Sequence, residues 1–258
     1  MKHLAILAAC TASAFATAAD AQETAGSSGL SLTTGLDYSS GSYSADEKTE
    51  ILVAPFSAAW RNDTVRLTAS LPYVRIDGPA GVVLGPDGKP LPGVTGVAGK
   101  RSGLGDLSLG GSITLPTLPI GLGIDLTGRA KLPTSDPDKH LGTGEADFTV
   151  GADFTYPIGP VAPFLSVNYR MPGDPEGVEL RNTYAASVGA SMVFGRSIAI
   201  VSYDYAQASS PLAKDARELF GAVSTPVTDK VNGTLYGTAG LSEGSADYGV
   251  GVMLTLKL

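Results

Sequence analysis

From residue 28 onward the chain alternates small or polar residues with apolar ones almost everywhere, most clearly over Gly121–Leu132. Leu122, Ile124, Leu126, Gly128, Ala130 and Leu132 share one parity, and Gly123, Asp125, Thr127, Arg129 and Lys131 share the other. Successive strand side chains point to opposite faces, so this segment predicts a strand with one apolar face and one charged face. The interruptions alternate as well. Tight turns at Asn62-Asp63, Pro116–Pro119, Pro157–Pro160 and Gly195–Ser197 interleave with long Gly-, Pro- and Asp-rich loops at Ser39–Lys48, Asp77–Gly103, Pro133–Glu145 and Met171–Arg181. Short turns at one end and long loops at the other are the layout of a transmembrane antiparallel up-and-down β-barrel. The predicted fold class is therefore all-β, with the apolar faces turned outward to lipid.

At ~9–11 tilted residues per crossing, the pattern predicts about twelve strands. They fall at Gly29–Tyr38, Thr49–Trp60, Thr64–Ile76, Leu104–Leu115, Ile120–Leu132 and Ala146–Tyr156. The second half continues with Val161–Arg170, Asn182–Phe194, Ile198–Gln207, Ala216–Pro226, Asn232–Leu241 and Tyr248–Leu258. An even number puts both termini on the periplasmic side and the long loops outside. Around the tenth strand, Asp215–Phe220 equally suits the start of a short helix. Pro55 and Pro72 each delete a ladder donor inside a strand, which predicts a bulge or kink at each. Outer-membrane barrels usually finish in an aromatic residue, whereas this chain finishes in Leu258.

Residues 1–21 read as a secretory signal peptide. Met1-Lys2-His3 is a short basic start, Leu4–Ala18 is apolar and uncharged, and Ala19-Asp20-Ala21 is a small-x-small site that predicts cleavage before Gln22. Leu7-Ala8-Ala9-Cys10 resembles a lipoprotein box, but that reading leaves only Leu4–Ala9 as an apolar core. Residues 22–258 then form one barrel domain. Cys10 is the only cysteine, so its loss with the leader leaves no disulfide and no thiolate chemistry. Removing the leader takes away Lys2 and Asp20 and keeps the net charge at −7. An acidic chain without Lys/Arg blocks carries no nucleic-acid footprint. At 43% hydrophobic residues the chain is too polar for a helical membrane protein, as expected of a barrel with a polar lumen.

Projected inward, the polar faces predict a pore lined by Asp106, Asp125, Arg129, Lys131, Asp147, Asp153, Asn168, Arg170 and Asp204. Arg129, Lys131, Asp147 and Arg170 form a predicted basic–acidic–basic rung near the outer mouth. Such a rung either sets a field for a passing solute or braces the wall as a salt-bridged filling. Catalytic chemistry finds little support. His140 is the only histidine once His3 leaves with the leader, and no Gly-x-Ser-x-Gly elbow accompanies it. Asp136, Asp138, Glu145 and Asp147 do not follow a calcium-loop spacing, so no metal and no cofactor is expected. The loop Asp77–Gly103 is more apolar than exposure requires, and it either folds over or into the mouth or stays at the surface.

Several phrases carry a family resemblance: Leu71-Pro72-Tyr73, Ser102-Gly103-Leu104-Gly105-Asp106-Leu107, Lys131-Leu132-Pro133-Thr134, and Leu141-Gly142-Thr143-Gly144-Glu145 followed by Asp147. Near the end comes Gly240-Leu241-Ser242-Glu243-Gly244-Ser245-Ala246-Asp247-Tyr248-Gly249. In this order they resemble the outer-membrane meta-pathway-of-phenol-degradation, or transporter, family. The resemblance implies a Gram-negative outer-membrane barrel that admits small, often aromatic or hydrophobic compounds. The expected partners are the outer-membrane bilayer, the small-molecule solute and the barrel-assembly machinery. A passive channel is the first expectation. A barrel enzyme acting on lipids or peptides and a structural or adhesive barrel are the alternatives.

Overall fold

A computed structural model describes residues 28–45, 47–79, 82–85, 88–92, 99–175 and 179–258. The signal peptide expected over residues 1–21, with Cys10, lies outside the described residues. The elements are β1 (Gly29–Gly41), β2 (Thr49–Arg61), β3 (Val65–Gly78), β4 (Val82–Leu84), β5 (Pro90–Pro92), β6 (Gly99–Leu104), β7 (Leu107–Thr114) and β8 (Gly123–Leu132). A 3-10 turn follows at Pro137–Lys139. Then come β9 (Asp147–Thr155), β10 (Val161–Met171), β11 (Thr183–Phe194), β12 (Ser197–Ala206), β13 (Ala216–Pro226), β14 (Val231–Gly240) and β15 (Tyr248–Lys257). Each wall strand is antiparallel to the next, and β1 pairs with both β2 and β15, which closes the sheet. With β6 and β7 counted as two halves of one wall strand, this is a closed barrel of 12 strands. Among the described residues no helix is long and apolar enough to cross a membrane.

The burial pattern is inverted relative to a soluble protein. On β15, Tyr248, Val250, Val252, Leu254 and Leu256 face out while Gly249, Gly251, Met253 and Thr255 face in. Phe56 and Leu235 are 53% and 66% exposed, whereas Thr49 and Ser166 are wholly buried. So large an apolar exterior around a polar interior suits hydrocarbon rather than water outside. Tyr184 and Phe194 share the outer face of β11 ten residues apart. That is roughly 34 Å along a strand and roughly 25 Å after a tilt of about 40°, the height of an outer-membrane apolar band. Tyr38 pairs with Tyr248 and Tyr169 with Tyr184 at the long-loop end, and Trp60 and Tyr156 stand exposed at the other. Rings at both margins are the interfacial girdles of such a band.

Of the two prolines expected to sit at a bulge or kink, one stands beside a bulge. Pro55 and Pro72 lie directly opposite one another in the β2–β3 register. The Gly105 N–H donates to the Pro72 carbonyl at 2.8 Å, so Pro72 turns its backbone polar edge toward the β6/β7 wall strand. There the register runs from Tyr73↔Leu104 to Ser70↔Ser108, which leaves one extra residue on the β6/β7 side. This is a bulge at Gly105-Asp106, placed where Pro72 has no N–H to offer. Beside Pro55 the β1–β2 register continues unchanged from Thr34↔Phe56 to Asp37↔Val53, so no bulge forms there. The tenth wall strand is a strand, Ala216–Pro226, and not a helix.

Inside, one part of the wall carries bulky apolar side chains. Phe164, Ile198, Ile200, Phe220, Ala222, Tyr236 and Met253 form a buried cluster on β10 and β12–β15. The inward faces of β1–β3 and β7 carry small residues such as Thr33, Ser57, Thr68, Ser70 and Ser108, and they line an open cavity. At this level of the barrel the bulky apolar side chains among the described residues come from β10 and β12–β15.

Candidate functional site: the lumen and its loop plug

The long-loop end is closed by an apolar plug. Tyr43 from the β1–β2 loop, Leu141 from the β8–β9 loop and Ala246 from the β14–β15 loop pack with Ile51, Val74 and Ile76 of the wall. Leu84, from the hairpin β4–β5, packs against the same cluster. The segment Asp77–Gly103 therefore sends a hairpin into the mouth. Burial holds the Tyr43 hydroxyl above the ordinary tyrosine range, and it donates to Ser39 Oγ at 3.0 Å.

One ion pair spans the lumen. Lys89, beside the hairpin turn, places Nζ 2.7 Å from Glu218 Oε1 on β13, with 11% and 4% of the two side chains exposed. Asp204 is the cross-strand neighbour of Glu218 and lines the same cavity. A buried ion pair of this kind orients the hairpin, because a displaced Lys89 would leave a charged group without its partner.

A second node gathers three of the phrases singled out above. Lys131 Nζ lies 3.1 Å from Asp106 Oδ2 and 2.6 Å from Asp147 Oδ2, the latter an ion pair without hydrogen-bond alignment. Asp106 Oδ1 accepts the N–H groups of Thr134 and Ser135 at 3.1 and 3.0 Å, and the Leu107 N–H donates to Thr134 Oγ1 at 2.8 Å. Lys131 also reaches Thr143 Oγ1 at 3.4 Å. A Cβ at Gly142 would meet the Asp106 carboxylate, so that close approach requires glycine. The bulge at Gly105-Asp106 is what turns this carboxylate into the node. It joins the β7 wall, the β8 wall and the loop between β8 and β9.

The expected rung is corrected by this geometry. Lys131 stands opposite Asp147, but Arg129 stands opposite Thr149, as does Arg170 from the next strand. The real rung is Asp106–Lys131–Asp147, and the Arg129 side chain makes no ion pair or hydrogen bond among the described residues. Two residues along a strand are roughly 7 Å apart, so register, not inward parity, decides which charges meet. Of the other expected residues, Asp125 and Asp153 face each other directly across β8 and β9, bound by Thr114 and Ser166 respectively. Asn168 donates to Ser166 Oγ at 3.4 Å, and Asp204 accepts from Ser202 Oγ at 3.1 Å. Arg170 is buried on β10.

Sequence reasoning passed over Glu218, Lys89, Asp37 and Tyr236. Glu218 has inward parity on β13, a signal masked by the helix-like reading of that stretch. Asp37 accepts the Tyr236 hydroxyl at 2.8 Å, across the intervening strand β15. Lys89 sits in a segment without periodicity, so no sequence signal places it. His140 caps the 3-10 turn in a left-handed conformation, and no catalytic partner meets it among the described residues. No group of three His, Cys, Asp or Glu side chains there gathers as metal ligands.

Comparison with known proteins places the fold. No family model matches the chain, and no curated protein matches it. An outer membrane channel from Pseudomonas putida F1 superposes with a TM-score of 0.69 at 12% identity, covering 92% of this chain and 97% of that one. The translocator domain of the autotransporter NalP from Neisseria meningitidis gives a TM-score of 0.54 at 11% identity, covering 95% and 93%. The chain thus has the fold of outer-membrane β-barrel proteins.

Proposed function

We propose that this protein is a passive outer-membrane channel for small solutes. The observation that carries the reading is a cavity of about 230 Å³ inside the barrel, lined by small and polar wall residues and bounded by the loop hairpin at Lys89. Side chains fill small barrels readily, so a cavity left among the described residues favours passage of a solute over a purely structural role. The resemblance to the phenol-degradation transporter family and the fold shared with a Pseudomonas channel support the same reading. On this reading residues 1–21 direct export and are cleaved, and the barrel-assembly machinery inserts residues 22–258 into the outer membrane. The charged residues of the inner wall line the pore. The mixed lining, with Phe220, Tyr236 and Met253 facing small polar groups, suits compact solutes that carry both an apolar and a polar side.

Planar-bilayer recording tests the proposal. Discrete conductance steps in KCl are expected from the refolded protein, with larger steps when the hairpin is released. Absence of any step, together with no solute flux into loaded liposomes, would overturn it.

A further inference from the structure

The cavity lining contains one cationic side chain with no ion-pair or hydrogen-bond partner among the described residues. Three cationic side chains line it: Arg66, Lys89 and Arg129. Lys89 is held by Glu218, and Arg66 has a contact of its own. The carboxylates on the lining are also engaged. Asp106 shares Lys131 with Asp147, while Asp37 and Asp204 accept the Tyr236 and Ser202 hydroxyls. Arg129 alone among the three cations has neither ion pair nor hydrogen bond among the described residues.

Its surroundings sharpen the point. Arg129 and Arg170 both stand opposite Thr149 on the inner wall, one on each side of it, and the Arg170 charge acts on Arg129. The enclosed lumen weakens solvent screening of the Arg129 charge. Gly110, the residue opposite Arg129 on β7, has no side chain, and the Thr68 hydroxyl stands close to where its Cβ would be. A guanidinium with free donors in such a place is a bidentate receptor for a carboxylate. The remainder of the cavity supplies the apolar counterpart, with Phe220, Tyr236 and Met253 on its lining.

We propose that Arg129 is the anchor of an anion-binding site in the lumen, selective for small organic monocarboxylates with an apolar body. The proposal deepens the channel reading and rests on it only for the direction of traffic: binding itself requires no transport. The carboxylate docks on Arg129. The apolar part lies toward the Phe220–Met253 side.

Benzoate and its neutral isostere benzamide are the probes, with the refolded protein in detergent micelles and binding read by calorimetry. Benzoate is expected to bind at least tenfold more tightly than benzamide. Arg129→Gln should abolish that difference, and Arg129→Lys should retain part of it, since an ammonium keeps the charge but loses the planar fork. Heat-modifiable electrophoretic mobility verifies that each variant is folded, and the wild-type comparison stands without any variant. Equal affinity for the two probes, or discrimination that survives in Arg129→Gln, overturns the site. Bilayer recordings separate this from the channel reading. Micelle binding with no conductance leaves the site standing and removes the channel. Conductance with no benzoate discrimination leaves the channel and removes the site.

Discussion

At the scale of single residues, the inner wall depends on contacts that cross a strand. Tyr236 on β14 reaches over Gly251 on β15 to hydrogen-bond Asp37 on β1, and a Cβ at position 251 would collide with its ring and hydroxyl. Gly251→Ala is therefore expected to expel Tyr236 and to destabilise the barrel by about 1–3 kcal/mol. Tyr236→Phe removes only the hydroxyl and should cost about 1 kcal/mol. Urea unfolding in micelles ranks the two, and a neutral Gly251→Ala would contradict the packing. Lys131 is a second single point of failure, because it alone bridges Asp106 and Asp147. Lys131→Met leaves two enclosed carboxylates facing one another and should cost about 3 kcal/mol, against about 0.5 kcal/mol for Lys139→Met in the exposed turn. The same unfolding assay reads both.

At the scale of elements, the hairpin β4–β5 is the part whose position follows least from its own sequence. It makes its own two-stranded pairing, separate from the wall. Its attachment to the lumen runs through Leu84 in the plug and Lys89 on Glu218. Lys89→Glu should break the pairing and place two like charges together, raising single-channel conductance and current noise. Combining it with Glu218→Lys restores opposite charges and should return both quantities toward wild type. If the double exchange conducts like the single one, the pairing does not hold the hairpin. The wall strand β6/β7 shows another element-scale effect. Its bulge lies beside Pro72 and delivers Asp106 to Lys131, so a missing backbone donor is coupled to the position of a lumen charge.

For the whole molecule, the governing fact is that apolar side chains cover the outside and polar ones the inside. Stability then depends on the surrounding medium as much as on internal contacts. Leu235 sits midway along β14 on the outer face. Leu235→Arg should reduce folding stability in lipid vesicles by about 2–4 kcal/mol, as a charge near the bilayer midplane does. The same change at Val227, in the turn between β13 and β14, should cost about 0–1 kcal/mol because it lies at the interface. Equal costs at the two positions would mean that the apolar band is misplaced along the barrel.

Parity and the rhythm of turns were enough to reveal the barrel, its count of about twelve wall strands and the inward side of the strands with clear alternation. Asp125, Lys131, Asp147 and Arg170 could be assigned to the inner face because a strand has only two faces and lipid tolerates only one kind of side chain. Strand ends moved by a few residues, since alternation continues past the last ladder hydrogen bond. Of the charges expected to touch, only the pair Lys131 and Asp147 was legible. Lys131 meets Asp147 and Arg129 does not, because pairing depends on a register that a two-residue shift would change without altering parity. The bulge at Gly105-Asp106 inserts a residue that no periodicity reports. Lys89 and Glu218 lie far apart in the chain, in a loop without pattern and a strand with helix-like composition. Only closure of the sheet brings that loop back over the mouth and within reach of the opposite wall. Local side-chain chemistry specified the strands, and the long-range geometry of a closed barrel decided which of their charges meet.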